Sequence, residues 1–246
     1  MTFSLGMKVH MKKYVRLLVV LASAACAKEA VSSDSANAQA SGPHGAPRTS
    51  PITDARRTPA VDARRTILFL GTSLTAGLGL DPDSAYPLQI QRMIDSAGMP
   101  YSVVNAGVSG ETSSGLLGRL DWLMRQPFDV VVIETGANDG LRGVSVEAMR
   151  RNIQQTIERI RQARPAARIV LIQMEALPNM GKAYTQQFRD AFPDLAKSND
   201  VVLLPFLLDG VAGRSELNQA DGVHPNYEGE RIVARNVWKG LKPLLR

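Results

Sequence analysis

The sequence predicts an α/β fold, a three-layer α/β/α sandwich on a five-stranded parallel sheet. Three observations carry this. From Thr66 onward, short apolar runs of strand length alternate with longer segments whose apolar residues recur at helical spacing. The short runs are apolar throughout, as in strands covered on both faces. Polar, glycine-containing clusters follow several of these runs, where open parallel sheets bind ligands.

In chain order, residues 67–70 (Ile-Leu-Phe-Leu) form a buried strand that stops at Gly71. Residues 85–97 have helical spacing. Val103 and Val104 form the core of a second strand. Residues 113–126 form a helix with Leu116, Leu117, Leu120 and Leu123 on one face. Residues 129–135 are a third strand. Ser145 caps a long helix with arginine-rich outer positions that runs to about Arg164. A fourth strand (169–174), a helix (184–197), a fifth strand (201–205) and a closing helix (226–240) complete the pattern.

Three segments differ in composition. In residues 1–27, Lys8, Lys12, Lys13 and Arg16 precede an apolar run at 17–25 that is too short to span a bilayer, which reads as a secretory signal. Ala25-Cys26-Ala27 fits a small-residue cleavage site. Cys26 just past the run also resembles a lipoprotein box, with Ser23 where that box usually has leucine, so plain cleavage and lipid attachment both stand open. Residues 28–65 are rich in Ala, Ser, Pro, Thr and Arg with few large apolar side chains, a composition that cannot offset chain entropy; they read as a tether. Residues 66–246 are the folded domain. The expected location is therefore outside the cytoplasm: periplasmic, tethered to a membrane through Cys26, or secreted.

The net charge of +6 invites a nucleic-acid reading, but its location excludes one. Residues 1–65 hold ten Lys/Arg and four Asp/Glu, whereas residues 66–246 hold nineteen of each. The domain itself has no basic excess with which to meet phosphates. Cys26, the single cysteine, rules out an internal disulfide and a cysteine metal cluster. Of three histidines, only His224 falls within the domain, so any imidazole chemistry must use it.

Four polar clusters sit at predicted strand ends: 71–75 around Ser73, 105–112 with Gly110, 136–139 with Asn138, and 221–225 with Asp221 and His224. Acyl transfer needs a hydroxyl with a base to take its proton, a partner that orients the base, and donors for the oxyanion. Ser73 lies in a strand-to-helix turn, where backbone N–H groups favour negative charge. Asp221 precedes His224 by three residues. Asn138 offers a side-chain N–H, and Gly110 a backbone N–H unobstructed by a Cβ. Taken singly, each also reads as an ordinary tight turn, a capped turn or a loop pair.

Together, the order Ser73, Gly110, Asn138, Asp221-x-x-His224 resembles the SGNH, or GDSL, hydrolases over essentially all of residues 66–246. The stretches at 105–113, 136–143 and 203–206 are most similar to the bacterial thioesterase I, arylesterase and lysophospholipase branch. The resemblance implies a flavodoxin-like fold and a serine esterase acting on acyl or aryl esters, with thioesters and lysophospholipids as further substrates. It implies Ser73 as nucleophile, His224 as base, Asp221 as its orienter, and an oxyanion hole from Ser73, Gly110 and Asn138. It implies no metal and no organic cofactor. Thr72 departs from the motif by replacing its aspartate, and Ala137 replaces a residue that is often glycine in this branch. The G-x-S-x-G elbow of the α/β-hydrolases is not matched, since Thr75 stands at its last position.

The segment at 175–184 follows the fourth strand. Leu177, Met180 and Tyr184 there read either as the lining of an apolar substrate groove or as anchors of the loop on the sheet. A carbohydrate O-deacetylase and a non-catalytic binding protein on the same fold are the alternatives. The first is disfavoured because the domain has only Trp122 and Trp238 for sugar stacking. The second has no need of a histidine base.

Overall fold

The computed structural model of the protein describes residues 64–245. The leader expected at 1–27, and the tether expected at 28–65 except for its last two residues, lie outside the described residues.

Five strands make one parallel sheet: β1 (Arg65–Gly71), β2 (Tyr101–Gly107), β3 (Val130–Ile133), β4 (Arg168–Ile172) and β5 (Val202–Leu204). Their spatial order is β2-β1-β3-β4-β5. β1 lies between the edge strand β2 and the central strand β3, with Phe69 opposite Asn105 on one side and Val132 on the other. The helices are α1 (Ser73–Ala76), α2 (Tyr86–Ser96), α3 (Ser113–Leu123), α4 (Ala137–Leu141), α5 (Val146–Ala163), α6 (Lys182–Asn199) and α7 (Tyr227–Leu241). The chain steps one way from β1 to β2 and the other way through β3, β4 and β5. Right-handed crossovers therefore put α2 on one face and α3, α5 and α6 on the other. α7 packs on α2, while α3 and α6 flank α5. This is the α/β/α sandwich expected, with a doubly wound 2-1-3-4-5 order.

Burial follows the sequence pattern. Ile67–Leu70, Val130–Ile133 and Ile169–Ile172 are all buried, because their strands have a neighbour on each side and helices on both faces. Residues 103–104 lie inside β2, as their apolar character suggests; because β2 is an edge strand, Val103 packs against the core while Val104 is exposed. α5 buries Met149, Ile153, Ile157 and Ile160 completely, each contributing roughly 1.5–3 kcal/mol of transfer free energy. The Ser145 side chain accepts the Ala148 N–H at its start. α6 begins at Lys182, slightly earlier than the periodicity indicates, and runs through Pro193. Pro193 has no N–H for the Arg189 carbonyl, and the Gln173 side chain donates to that oxygen instead, at 3.1 Å.

α1 and α4 are too short for periodicity to reveal. They follow β1 and β3 directly, the two strands that flank the reversal of strand order. Among the described residues, no helix is long and apolar enough to cross a membrane.

Candidate active site

Ser73 opens α1, with Thr72 as the preceding cap, whose hydroxyl accepts the Leu74 N–H. Behind this turn lies Glu134, the residue after β3, fully buried. It accepts the Thr72 N–H at 2.7 Å, the Thr72 hydroxyl at 3.0 Å and the Thr75 hydroxyl at 2.9 Å. Gly71 makes room for this carboxylate. A Cβ there would overlap the Thr75 side chain and press on Glu134 Oε2.

His224 arrives on the loop between β5 and α7. A bridge between Asn218 and Pro225 closes the loop, the Gln219 N–H donates to the His224 carbonyl, and Gly222 turns the chain with a φ of 70°. Within it, Asp221 Oδ1 accepts the N–H groups of His224 at 3.0 Å and Val223 at 2.9 Å, while Oδ2 lies 2.7 Å from His224 Nδ1. The His224 backbone N–H, then its ring, then the Val223 N–H hold the Asp221 carboxyl down at about 2. An ionised carboxylate only accepts, so Nδ1 carries the ring proton and Nε2 is left with its lone pair. Ser73 Oγ lies 2.8 Å from Nε2, positioned to donate to it.

The loops after β2 and β3 face this pair. Gly110 has a φ of 78°, and its carbonyl accepts from Arg142 at 2.8 Å. The backbone N–H groups of Ser73 and Gly110 make no hydrogen bond among the described residues. Asn138 spends one side-chain proton on the Glu111 carbonyl at 3.0 Å and keeps the other. Arg119 forks onto Glu111 at 2.6 and 2.7 Å and also reaches the Ala106 carbonyl. Buried Asp139 accepts the Ser113 N–H at 2.8 Å and the Ser113 hydroxyl at 2.6 Å. Asp139 thus caps the neighbouring helix α3 and ties the Gly110 loop to the Asn138 loop. Ser73, Gly110, Asn138 and His224 line one cavity of about 200 Å³.

A second cavity, about 380 Å³, shares Leu74, Ala137, Leu141 and Val223 with the first. Met174, Phe206, Leu208 and Ala212 are among its other walls, so it is mainly apolar. Leu177 lines it. Met180 and Tyr184 do not: the Tyr184 hydroxyl donates to the Val144 carbonyl at 2.7 Å, and Met180 lies beside Gly143. Trp122 on α3 and Trp238 on α7 sit on opposite faces of the sandwich and line neither cavity.

The cavity walls from Met174, Phe206, Leu208 and Ala212 escape a sequence reading, since they come from two segments, after β4 and after β5, whose apolar residues look like ordinary core. Glu134 leaves a signal, as the one acid closing the apolar run at 130–133. As a whole the arrangement suits acyl transfer: a hydroxyl hydrogen-bonded to an oriented base, unpartnered donors beside it, and an adjoining apolar cavity.

Residues 69–232 match the profile of the GDSL-like Lipase/Acylhydrolase family. The chain is 37% identical over 181 residues to Esterase TesA of Pseudomonas aeruginosa, covering 73% of this chain and 89% of that protein. It is 36% identical to Thioesterase 1/protease 1/lysophospholipase L1 of Escherichia coli K12, over 73% of this chain and 85% of that one. The crystal structure of TesA superposes with a TM-score of 0.70, covering 74% of this chain and all of that one, at 37% identity.

Proposed function

The chain belongs to the GDSL-like lipase/acylhydrolase family and is a carboxylic-ester hydrolase, and on that premise we propose that it cleaves acyl and aryl esters through an acyl-enzyme on Ser73. The observation that carries the reading is the chain of contacts from Asp221 through His224 to Ser73, at 2.7 and 2.8 Å, opening beside an apolar cavity. In this mechanism Ser73 Oγ attacks the ester carbonyl carbon as its proton passes to His224 Nε2. Asp221 stabilises the imidazolium. The N–H groups of Ser73 and Gly110 and the free amide proton of Asn138 receive the oxyanion. Collapse expels the alcohol, which takes the proton from Nε2. Water then repeats the sequence on the acyl-enzyme and releases the acid.

The apolar walls favour an acyl chain or aryl ring over a sugar, so the O-deacetylase reading loses ground. Thioesters and lysophospholipids fit the same chemistry, in keeping with the names of the relatives. Export through residues 1–27, ending in plain cleavage or in lipid attachment at Cys26, with residues 28–65 as tether, belongs to the same reading and rests on the sequence alone. The test is a rate profile over p-nitrophenyl esters from acetyl to palmitoyl, beside an acetylated sugar and a Ser73→Ala control. Acyl esters turned over, with loss in the control, are expected. Turnover at the wild-type rate by Ser73→Ala, or preference for the sugar ester, overturns the proposal.

A further inference from the structure

The loop that carries the base is closed at its root by Gln219. Its N–H donates to the His224 carbonyl at 2.8 Å, and its own carbonyl accepts the Gly222 N–H at 2.9 Å. Its side-chain amide spans two segments: Nε2 donates to the Pro225 carbonyl at 3.0 Å and to the Leu78 carbonyl at 2.7 Å. Both amide protons are thus used, and a flipped amide would set Oε1 against two carbonyl oxygens. Oε1 lies over Gly79, where a Cβ would come within 2.2 Å of it, and Gly79 has a φ of 82°, so the close approach needs glycine. Leu78 belongs to the nucleophile's own turn, because its N–H donates to the Ser73 carbonyl at 3.0 Å. Leu78 also lines the cavity that holds Ser73 and His224.

Among the described residues, two hydrogen bonds join residues 72–80 to residues 205–226: the contact between Ser73 and His224 itself, and the one from Gln219 to Leu78. The first must open during turnover, when the Ser73 proton passes to Nε2 and the acyl group takes its place on Oγ. The second involves no reacting atom and persists. Resting on Ser73 as nucleophile and His224 as base, we propose that Gln219 is a positioning residue that holds the His224 loop in register with the Ser73 turn while their direct bond is open. Asp221 fixes the ring within its loop, through Nδ1. Gln219 fixes that loop against the serine. Losing the amide leaves Asp221 and the Gln219 backbone bonds in place, so the imidazole drifts from its station without leaving the site. A reacting group displaced by about 1 Å can cost as much as about 10²-fold in rate.

The experiment measures kcat and KM for p-nitrophenyl acetate in wild type, Gln219→Met, Gln219→Ala, Gly79→Ala and the Gln219→Ala, Gly79→Ala double variant. Active sites are counted by fluorophosphonate labelling, so unfolded protein does not enter kcat. Gln219→Met keeps the side chain's length but has no donor and should lower kcat by about tenfold, as should Gln219→Ala. His224 serves both acylation and deacylation, so the two steps slow together and KM should stay within about twofold. Gly79→Ala pushes on the amide and should lower kcat in the wild-type background, with little further effect once Gln219 is alanine. The backbone strain of alanine at that φ is common to both backgrounds and cancels in the comparison. An unchanged kcat for Gln219→Met, a loss carried by KM alone, or equal effects of Gly79→Ala in both backgrounds overturns the proposal. If Gly79→Ala does not fold, the kcat and KM of the two Gln219 variants decide alone. Mapping the fluorophosphonate label in wild type by mass spectrometry tests the nucleophile separately. Label on Ser73 together with insensitive Gln219 variants refutes positioning while leaving the esterase reading intact, whereas label elsewhere refutes both.

Discussion

Glu230 carries a measurable liability. It lies on the face of α7 that packs on α2, almost wholly buried, and accepts the Tyr86 N–H at 2.7 Å. Burial dominates its ionisation and, with the nearby Glu134 charge adding to the effect, raises its carboxyl from 4.5 to about 8 against the opposing Tyr86 bond. The native state therefore holds a proton that the unfolded chain releases. For an acid raised on folding, the unfolded state binds fewer protons between the two values, so stability falls as pH rises through that window. At 1.36 kcal/mol per pH unit, the interval from 4.5 to about 8 corresponds to roughly 5 kcal/mol lost by mildly alkaline pH. Glu230→Gln keeps the shape and an oxygen for the Tyr86 N–H but has nothing to ionise. It should match wild type near the acid end of the window and exceed it by up to about 5 kcal/mol above pH 8. Urea unfolding followed by circular dichroism at a series of pH values gives the difference directly. A difference that does not grow with pH, or a variant less stable than wild type at alkaline pH, refutes the reasoning.

Other consequences concern the site. Asn138→Ala should lower kcat by roughly 10²–10³ if its free amide proton meets the oxyanion, and an unchanged kcat with p-nitrophenyl esters excludes that role. Asp139→Ala strands the Ser113 N–H and hydroxyl and should cost about 1–3 kcal/mol in denaturant unfolding, with a fall in kcat as the Gly110 loop loosens; unaltered stability would contradict the tie seen between the loops. Ala212→Phe should fill the 380 Å³ cavity and slow long-chain esters while sparing the acetyl ester, so equal losses for both would show that the cavity does not hold the acyl chain. Asp221 stays ionised down to about pH 2, so it should contribute no proton to the acid limb of kcat/KM above that pH. A slope of two above that pH would contradict the assignment.

Much of this arrangement is legible in the sequence, for identifiable reasons. The central strands are buried on both faces and therefore apolar throughout, and helices as long as α5 repeat their apolar face often enough to be read. α1 and α4 span four and five residues, less than two turns, so periodicity has nothing to work on. The clusters holding Ser73, Gly110, Asn138 and His224 stand out because polar residues interrupt the pattern at strand ends. Residue type cannot reveal partners, however. Asp139 beside Asn138 looks like a local cap yet bonds Ser113, twenty-six residues away, and Thr75 looks like turn filler yet contacts Glu134 across fifty-nine. Met180 and Tyr184 have the character of a groove lining, and the fold turns them towards Gly143 and Val144 instead.

The contact between Ser73 and His224 joins residues 151 positions apart. Its formation requires closure of a loop that takes in β2, β3, β4 and β5, so it belongs to the most non-local contacts of the topology. Non-local contacts of this kind are slow to form because the chain entropy must be lost before they contribute. A chain lacking the segment after β5 contains Ser73 and the Gly110 and Asn138 loops but no imidazole in its domain. Ester turnover during refolding should therefore appear no earlier than the slowest structural phase seen by circular dichroism. The enzyme's own activity serves as a stringent clock for completion of the native state.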